Sequence, residues 1–212
     1  MNAKYIVIEG NIGSGKTSLA TMLSQYYQCN LVLEEFADNS FLPRFYEHPE
    51  RWAFPLEMSF LADRYHQMKK VFDHSRHHDF KVVSDYLLDK SYIFAKNNLA
   101  QNEWLLYENF FEIISQHMPK PDILVYLSNT AEGLLKNIKK RGRGYEQKIA
   151  AGYLENIDQG YRNFMAKHPE LNILVIESQE LDFVNEPQHF EEIRVSLEKS
   201  LVDNQKTLFP HI

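Results

Sequence analysis

The chain has 212 residues, of which 44% are hydrophobic and 25% charged, as is typical of one soluble globular domain with a good core. Its formal net charge of −6 argues against a nucleic-acid polymer as the partner, because such polymers are bound by basic surfaces. No apolar run approaches membrane-spanning length, the single Cys29 cannot form an internal disulfide, and no signal peptide precedes the first strand, so we expect a cytoplasmic protein with no membrane partner.

The first predicted element is a buried strand over residues 5–8, and a glycine-rich turn and a helix follow it. The turn and the start of the helix consist of Gly10, Asn11, Ile12, Gly13, Ser14, Gly15, Lys16, Thr17 and Ser18. Glycines there let the backbone aim several N–H groups into one hollow, and the helix adds its positive N-terminal end. Lys16 can reach the β- and γ-phosphates, and the Thr17 hydroxyl is placed for Mg²⁺. This turn therefore predicts a site for a nucleoside triphosphate.

Further strands are predicted along the chain, each separated from the next by helical spacing. The strands are expected over residues 31–35, 80–85, 122–127 and 172–176. Helices are expected over residues 41–72 with interruptions at Pro49 and Pro55, over 87–118 as a pair meeting near 101–102, and over 132–141, 146–167 and 186–201, before a loose tail. Alternating strands and helices of this kind predict a single α/β domain, residues 1–212, with a five-stranded parallel sheet flanked by helices.

Acidic residues follow the predicted strands at the edge where ligands bind in such folds. Asp85 ends one strand and can hold Mg²⁺ directly or through water, while Glu34 or Glu35 can take the proton of a phosphoryl acceptor. Adjacent strand residues point to opposite faces, so we expect only one of these two glutamates to face the cleft. A basic segment, residues 136–147, contains Lys136, Lys139, Lys140, Arg141 and Arg143. It is predicted to fold over ATP as a short lid.

From Tyr46 to Phe54, the run Tyr-Glu-His-Pro-Glu-Arg-Trp-Ala-Phe resembles the deoxyribonucleoside kinase family, in particular bacterial deoxyadenosine and deoxyguanosine kinases. The glycine-rich turn, residues 34–39, residues 62–65 and residues 140–147 match as well, so that the resemblance covers residues 4–161. It implies a P-loop kinase that transfers the γ-phosphate of ATP, with Mg²⁺, to the 5′-hydroxyl of a deoxynucleoside in nucleotide salvage.

The resemblance also implies roles for single residues. Glu34 aligns with the catalytic base, although Glu35 stays open because family members differ in length here. Tyr46 and Glu146 would hold the 3′-hydroxyl of the sugar, Trp52 would wall the pocket, and Arg64 would contact the base or order the cleft. Arg141 and Arg143 would act on the phosphates, with Lys16, during catalysis. Glu57 stands where the family often has a base-reading glutamine, and Asp85 falls on the acid of an acid-Arg-Ser motif.

That last motif departs from the family pattern, because the chain has Asp85-Tyr86-Leu87. The missing arginine alters the expected charges near the 5′-hydroxyl, and a lid arginine is one candidate to replace it. Its absence also supports an alternative hypothesis, an ATP-binding protein without catalysis. Another alternative is a kinase for a different small metabolite or a nucleoside monophosphate, whose phosphate would need an arginine clamp drawn from Arg44, Arg51, Arg64 or Arg76. A GTP switch is disfavoured, since the sequence has no Asn-Lys-x-Asp motif.

Base preference follows from Glu57. An ionised carboxylate accepts hydrogen bonds only, so a base edge that presents donors is favoured. We expect deoxyadenosine first, deoxyguanosine and deoxycytidine behind it, and thymidine last; the choice of adenine comes from the resemblance. An internal ion pair between Glu57 and Arg64 is the alternative. The long apolar helices of residues 87–118 further predict a homodimer packed through them.

Overall fold

Short apolar runs form the strands of one parallel sheet in the computed structural model, which describes residues 3–35, 39–73, 81–203 and 207–209. The strands are β1 (Tyr5–Gly10), β2 (Asn30–Val32), β3 (Val82–Ser84), β4 (Ile123–Ser128), β5 (Ile173–Glu177) and β6 (Thr207–Phe209). Their order across the sheet is β2-β3-β1-β4-β5-β6, and all neighbours are parallel. The five predicted strands and their parallel arrangement are confirmed, within a sheet that has six strands. The predicted loose tail is wrong in one respect, because β6 adds a short edge strand there.

Helices connect the strands and cover both faces of the sheet. They are α1 (Lys16–Tyr27), α2 (Phe41–Glu47), α3 (Pro49–Asp73), α4 (Asp89–Asn98), α5 (Gln101–Ser115), α6 (Ala131–Arg141), α7 (Ala151–Lys167) and α8 (Pro187–Asp203). Residues of α1 and α8, such as Leu19 and Leu197, are buried against one face. Residues of α3, α4 and α7, such as Met68, Ile93 and Ile157, are buried against the other. Within the described ranges, no helix has the length and apolar character needed to cross a membrane.

Several predicted boundaries differ from the observed ones, each for a local reason. Helix α3 begins at Pro49 and runs through Pro55 without a break. The predicted helix over 146–167 is divided into a 3₁₀ helix, Gly144–Lys148, and α7, because Ile149 and Ala150 have extended backbone. Strand β2 ends at Val32, so that Glu34 and Glu35 lie in the loop after it. Residues 36–38, Arg76 and Phe80, which entered the sequence analysis, lie outside the described residues.

The central position of β1 sets the location of the cleft. It pairs with β3 on one side and β4 on the other, so the loops that leave these strands meet at one edge. The glycine-rich turn after β1, Asp85 after β3 and the loop between β2 and α2 are thereby neighbours. The fold thus collects residues that are distant in sequence at the carboxyl edge of the sheet, as expected for a parallel α/β protein.

Candidate active site

The turn between β1 and α1 forms a tight backbone loop. Gly13 and Gly15 have φ values of 83° and 93°, which side-chain-bearing residues rarely adopt. A Cβ atom on Gly13 would lie 2.9 Å from the carbonyl oxygen of Leu134, so α6 packs directly on the loop. Asn11 fixes the loop from the other side, because its Nδ2 donates to the carbonyl of Leu154 over 2.7 Å. The loop is therefore held between α6 and α7 before any ligand binds.

This loop has the chemistry of a phosphate cradle. The Ser14 hydroxyl is buried and has no hydrogen-bond partner among the described residues, and the Lys16 ammonium donates to the carbonyl of Asn11 over 2.8 Å. Burial, and after it the nearby Lys90 cation, lower the pKa of Lys16 to about 8. An anion in the cradle would oppose both effects, which fits a site that binds phosphate.

Two hard oxygen donors meet at the end of this loop. The Thr17 hydroxyl donates to Oδ2 of Asp85 over 2.6 Å, and Asp85 is buried. A hydroxyl, one carboxylate and nucleotide phosphates are the ligands by which Mg²⁺ is usually held. No group of three or more His, Cys, Asp or Glu residues able to hold a metal occurs in the described ranges. The pair therefore fits Mg²⁺ delivered with a nucleotide better than a metal held by protein ligands alone.

The same aspartate holds the loop that carries Glu34. Oδ1 of Asp85 accepts a hydrogen bond of 2.7 Å from the backbone N–H of Glu34. The Glu34 side chain then meets two cations: Oε1 accepts from Nε of Arg64 at 2.9 Å, and Oε2 accepts from the Lys90 ammonium at 2.6 Å. Arg64 also donates to the hydroxyl of Ser91. All three charged side chains are nearly buried, with exposed fractions of 13% for Glu34, 4% for Arg64 and 7% for Lys90.

The two cations keep Glu34 ionised. Burial raises the pKa of Glu34, but Lys90 and Arg64 lower it by more, and the result lies well below the usual range. A carboxylate has about four lone-pair sites. The guanidinium of Arg64 uses two of them and Lys90 uses one, which leaves room for one further donor. Glu35, in contrast, is exposed. Only Glu34 thus faces the cleft, although strand alternation is not the reason, because both glutamates lie in the loop after β2.

Lys90 is the site residue that the sequence analysis missed. At the position of the arginine that the family resemblance implied, the Tyr86 hydroxyl instead donates to Oε1 of Gln67 over 2.5 Å. The second cation beside Glu34, in addition to Arg64, is Lys90 in the first turn of α4. The lid arginines lie against the carboxylate of Glu146. A lysine within the run 86–95, in which seven residues are Leu, Ile, Phe, Ala or Tyr, was the available signal, since a buried lysine needs a partner.

Both lid arginines contact Glu146, which is itself buried. Nε of Arg141 donates to Oε2 of Glu146 over 3.1 Å, and Nη1 of Arg143 donates to Oε1 over 3.3 Å. Each arginine side chain remains about one third exposed. Tyr46 stacks on Tyr145 with ring centroids 5.9 Å apart, next to this group. The structure thus brings together the predicted pair Tyr46 and Glu146, but it occupies Glu146 with arginines.

The lysines of the basic segment lie apart from that cluster. Lys136, Lys139 and Lys140 are exposed on α6, which is the ordinary environment of charged residues on a helix surface. Of the basic residues in this segment, Arg141 and Arg143 are the ones seen to contact the site within the described ranges, through Glu146.

Glu57 lies about two turns and Trp52 about three turns before Arg64 on α3. Glu57 is 2% exposed, and its Oε1 accepts a hydrogen bond of 2.7 Å from Nδ2 of Asn98. The alternative ion pair with Arg64 is not what forms, because Arg64 turns to Glu34 and Ser91. Trp52 is half-buried, and the guanidinium of Arg44 lies 4.9 Å from its ring centroid.

Comparison with known proteins gives a consistent result. The family model described as deoxynucleoside kinase matches residues 6–203. The chain is 36% identical over 204 residues to a deoxyguanosine kinase of Bacillus subtilis, which covers 94% of this chain and 99% of that protein. A deoxyadenosine/deoxycytidine kinase of the same organism is 28% identical and covers 95% and 94%. The structure of deoxyadenosine kinase from M. mycoides with bound dATP matches with a TM-score of 0.79 at 24% identity, over 92% of this chain and 99% of that one.

Proposed function

The chain belongs to the deoxynucleoside kinase family, and we propose that it transfers the γ-phosphate of ATP to the 5′-hydroxyl of purine deoxynucleosides in the cytoplasm, with Mg²⁺ bound at Thr17 and Asp85. ATP-dependent deoxynucleoside kinase activity and a role in nucleotide salvage are those of the family. The purine substrates, the metal and the compartment are our proposal. The observation that supports it best is the ionised Glu34. Arg64 and Lys90 bind its carboxylate, and its backbone N–H donates to Asp85.

In this proposal the protein acts chiefly by positioning. Backbone N–H groups of residues 10–18 and the Lys16 ammonium bind the phosphates, and Mg²⁺ would neutralise charge on them when bound. Glu34 accepts a hydrogen bond from the 5′-hydroxyl at its remaining lone-pair site and orients that oxygen toward the γ-phosphate. Because phosphoryl transfer has a loose transition state, the hydroxyl proton leaves late and a strong base is not required. A carboxylate of low pKa is therefore adequate for this role.

The lid arginines have a proposed part in the same step. Arg141 and Arg143 are positioned by Glu146 and are partly exposed, so each can direct N–H donors at the edge of its guanidinium toward the γ-phosphoryl group. Arginine offers planar, forked donors that match phosphate oxygens. Tyr46 and Glu146 are proposed to hold the 3′-hydroxyl and Trp52 to wall the pocket. The proposed lid consists of residues 136–147.

Base selection is assigned to Glu57, whose buried carboxyl is suited to read the hydrogen-bonding edge of a base. Thymine presents one N–H between two carbonyls, so the ionised form of Glu57 would face repulsion on both sides, and for that form we propose thymidine as the poorest substrate. The lead of deoxyadenosine over deoxyguanosine and deoxycytidine stays a prediction.

A homodimer is proposed on a second observation. Helix α5 exposes Leu105, Leu106, Phe110 and Ile113, with exposed fractions of 43% to 63%. A patch of large apolar side chains on one helix is typical of a protein–protein contact. We propose that α5 packs against the same helix of a second copy.

One assay tests the proposed function. The protein is incubated with ATP, Mg²⁺ and each of the four deoxynucleosides, and the 5′-monophosphates are identified by mass. We expect Glu34→Gln to lower turnover by about a hundredfold or more with ATP affinity unchanged, whereas the matched change Glu35→Gln retains most activity. Loss of turnover only in the Glu35 variant would move the role by one residue. Phosphorylation of other metabolites but no deoxynucleoside would refute the proposed substrates.

A further inference from the structure

Only one of the two carboxyl oxygens of Glu57 has a hydrogen-bond partner among the described residues. Oε1 accepts from Asn98, whereas Oε2 is buried and has no partner among the described residues. A buried polar atom of this kind is costly unless a ligand or water satisfies it. The carboxyl is thus poised to bind a ligand group, and the inference below rests on the proposed function, in which that ligand is a deoxynucleoside.

The position of Glu57 matches the base end of such a ligand. Glu57 and Arg64 are seven residues apart on α3, so they lie on the same side of the helix about 10 Å apart along its axis. Arg64 grips Glu34, which marks the 5′-hydroxyl end of the site. A nucleoside spans a comparable length from its 5′-oxygen to its base edge. Glu57 therefore stands where the base edge would be, two helical turns from the site of phosphoryl transfer.

The protonation state of Glu57 is balanced by its surroundings. Burial raises the pKa of Glu57 to about 7, against Asn98 and Arg64, which both lower it. Glu34 raises it and Lys90 lowers it by less, and the phenols Tyr107 of α5 and Tyr153 of α7 face the same carboxyl. Both phenols stay neutral near pH 7, because burial raises their pKa values. Glu57 thus has a neutral and an ionised form within the physiological range.

The two forms suit different purines. Adenine presents an amino donor beside the acceptor N1, so it pairs with a neutral carboxyl, whose O–H donates to N1 while the carbonyl oxygen accepts from the amino group. Guanine presents N1–H and an amino group side by side, so it pairs with a carboxylate, which accepts both. A carboxylate would put an acceptor against N1 of adenine, and a neutral carboxyl would put its O–H against a donor of the N1–H and amino edge of guanine. Cytosine has the same pattern as adenine, an amino donor beside the acceptor N3.

We propose that the proton on Glu57 selects the purine: the pocket takes adenine when this carboxyl is protonated and guanine when it is ionised. Asn98 supports the selection by holding Oε1 as an acceptor in both forms, which leaves Oε2 to change from donor to acceptor. One active site then serves both purine deoxynucleosides, and their relative rates depend on pH.

The test is the ratio of kcat/KM for deoxyguanosine to that for deoxyadenosine, measured with ATP and Mg²⁺ from about pH 6 to about pH 8.5 around the pKa of about 7. Titration of Lys16, of ATP and of the catalytic groups affects both substrates alike and cancels in the ratio. We expect the ratio to rise by up to about tenfold per pH unit, because one substrate uses the ionised form and the other the neutral form. Deoxycytidine should follow deoxyadenosine. A ratio that does not change with pH would overturn the proposal.

Variants identify the titrating group. Glu57→Gln keeps a donor and an acceptor at every pH, so its ratio should be independent of pH. Glu47→Gln, which removes an exposed carboxylate of α2, should keep the slope of the parent. A pH-dependent ratio in Glu57→Gln would assign the titration to another group and refute the inference. If no deoxynucleoside is phosphorylated at any pH, the proposed function fails instead, so the two failures are distinct.

A measurement without substrate checks the same proton. An acid whose pKa is raised by folding binds more protons in the native than in the unfolded state, so it lowers stability as pH rises through that window. The thermal unfolding midpoint of Glu57→Gln should therefore rise relative to that of the parent as pH increases from about 5 to about 8. A constant difference between the two midpoints would show that Glu57 does not retain its proton, and would overturn the proposal.

Discussion

The buried cluster of Glu34, Arg64 and Lys90 predicts that Lys90→Met lowers the stability of the parent protein but not that of a protein in which Glu34 has been replaced. Lys90→Met keeps the apolar stem and removes the ammonium, which donates a hydrogen bond of 2.6 Å to Glu34. A hydrogen bond to a charged group contributes about 1.5–3 kcal/mol. Arg64 still neutralises Glu34 afterwards, so no charge is left unpaired. We expect Lys90→Met to lower the free energy of unfolding by about 2 kcal/mol.

In the Glu34→Gln background the same substitution should cost nothing or stabilise the protein. Without the carboxylate, Lys90 and Arg64 are two buried cations beside a neutral amide, and removing Lys90 relieves their repulsion. Urea unfolding of the four proteins at pH 7, analysed as a double-mutant cycle, should give a coupling free energy of about 1.5 kcal/mol or more. Equal destabilisation in both backgrounds would refute this reasoning and assign the effect to the contact of the Lys90 ammonium with the ring of Phe94, whose centroid lies 5.7 Å away.

The pH dependence supplies a second arm of that test. The folded-state pKa of Glu34 is depressed, so its contribution is complete above the unfolded value of about 4.3 and is lost as pH falls through the folded value. Lys90→Met raises the folded pKa. We therefore expect the variant to lose stability at a higher pH than the parent during acid unfolding, and an unchanged acid profile would contradict the assigned charges.

Three further predictions concern the lid, the cradle and the oligomer. Arg141→Lys or Arg143→Lys should lower kcat by about tenfold or more while the KM for the nucleoside changes little, and equal small effects on both constants would show an ordinary solvated surface. ATP affinity measured without metal should fall as pH rises through about 8, where Lys16 loses its proton. Lys16→Met should remove that pH dependence, and an equal fall in the ATP affinity of the variant would contradict the role given to Lys16. Sedimentation of the parent at micromolar concentration should give a dimer and Ile113→Glu a monomer, and a monomeric parent would refute the proposed interface.

The parts of the site that local sequence determines were predictable. The glycine-rich turn, its lysine and its threonine follow one another in the chain, and strand, turn and helix signals agree there. The order of strands and helices was likewise predictable from apolar runs separated by breaks. The boundary errors at Pro55 and Ile149 arose where a single residue's effect depends on its surroundings. Pro55 lies inside α3 between the buried Ala53 and Leu56, and Ile149 is buried in a cluster with Leu134 and Ile138 of α6.

The partners of Lys90 and of Glu146 were not predictable, because they depend on tertiary contacts. Glu34, Arg64 and Lys90 come from the loop after β2, from α3 and from α4, and no local pattern states that these three meet. A lid arginine was the suggested replacement near the 5′-hydroxyl, whereas the cations that contact Glu34 in the structure are Arg64 and Lys90. Charge balance in a buried site is set by which elements pack together, and it became visible only with the fold.

The side chain of Asp85 connects the start of α1 with the loop after β2. One carboxylate oxygen accepts from the Thr17 hydroxyl and the other from the backbone N–H of Glu34. Because the second donor is a backbone group, the residue type at position 34 can be changed without disturbing this link, whereas an insertion or deletion between Val32 and Glu34 would disturb it. Engineering of acceptor specificity in this protein should therefore exchange side chains around the cleft and preserve the length of that loop.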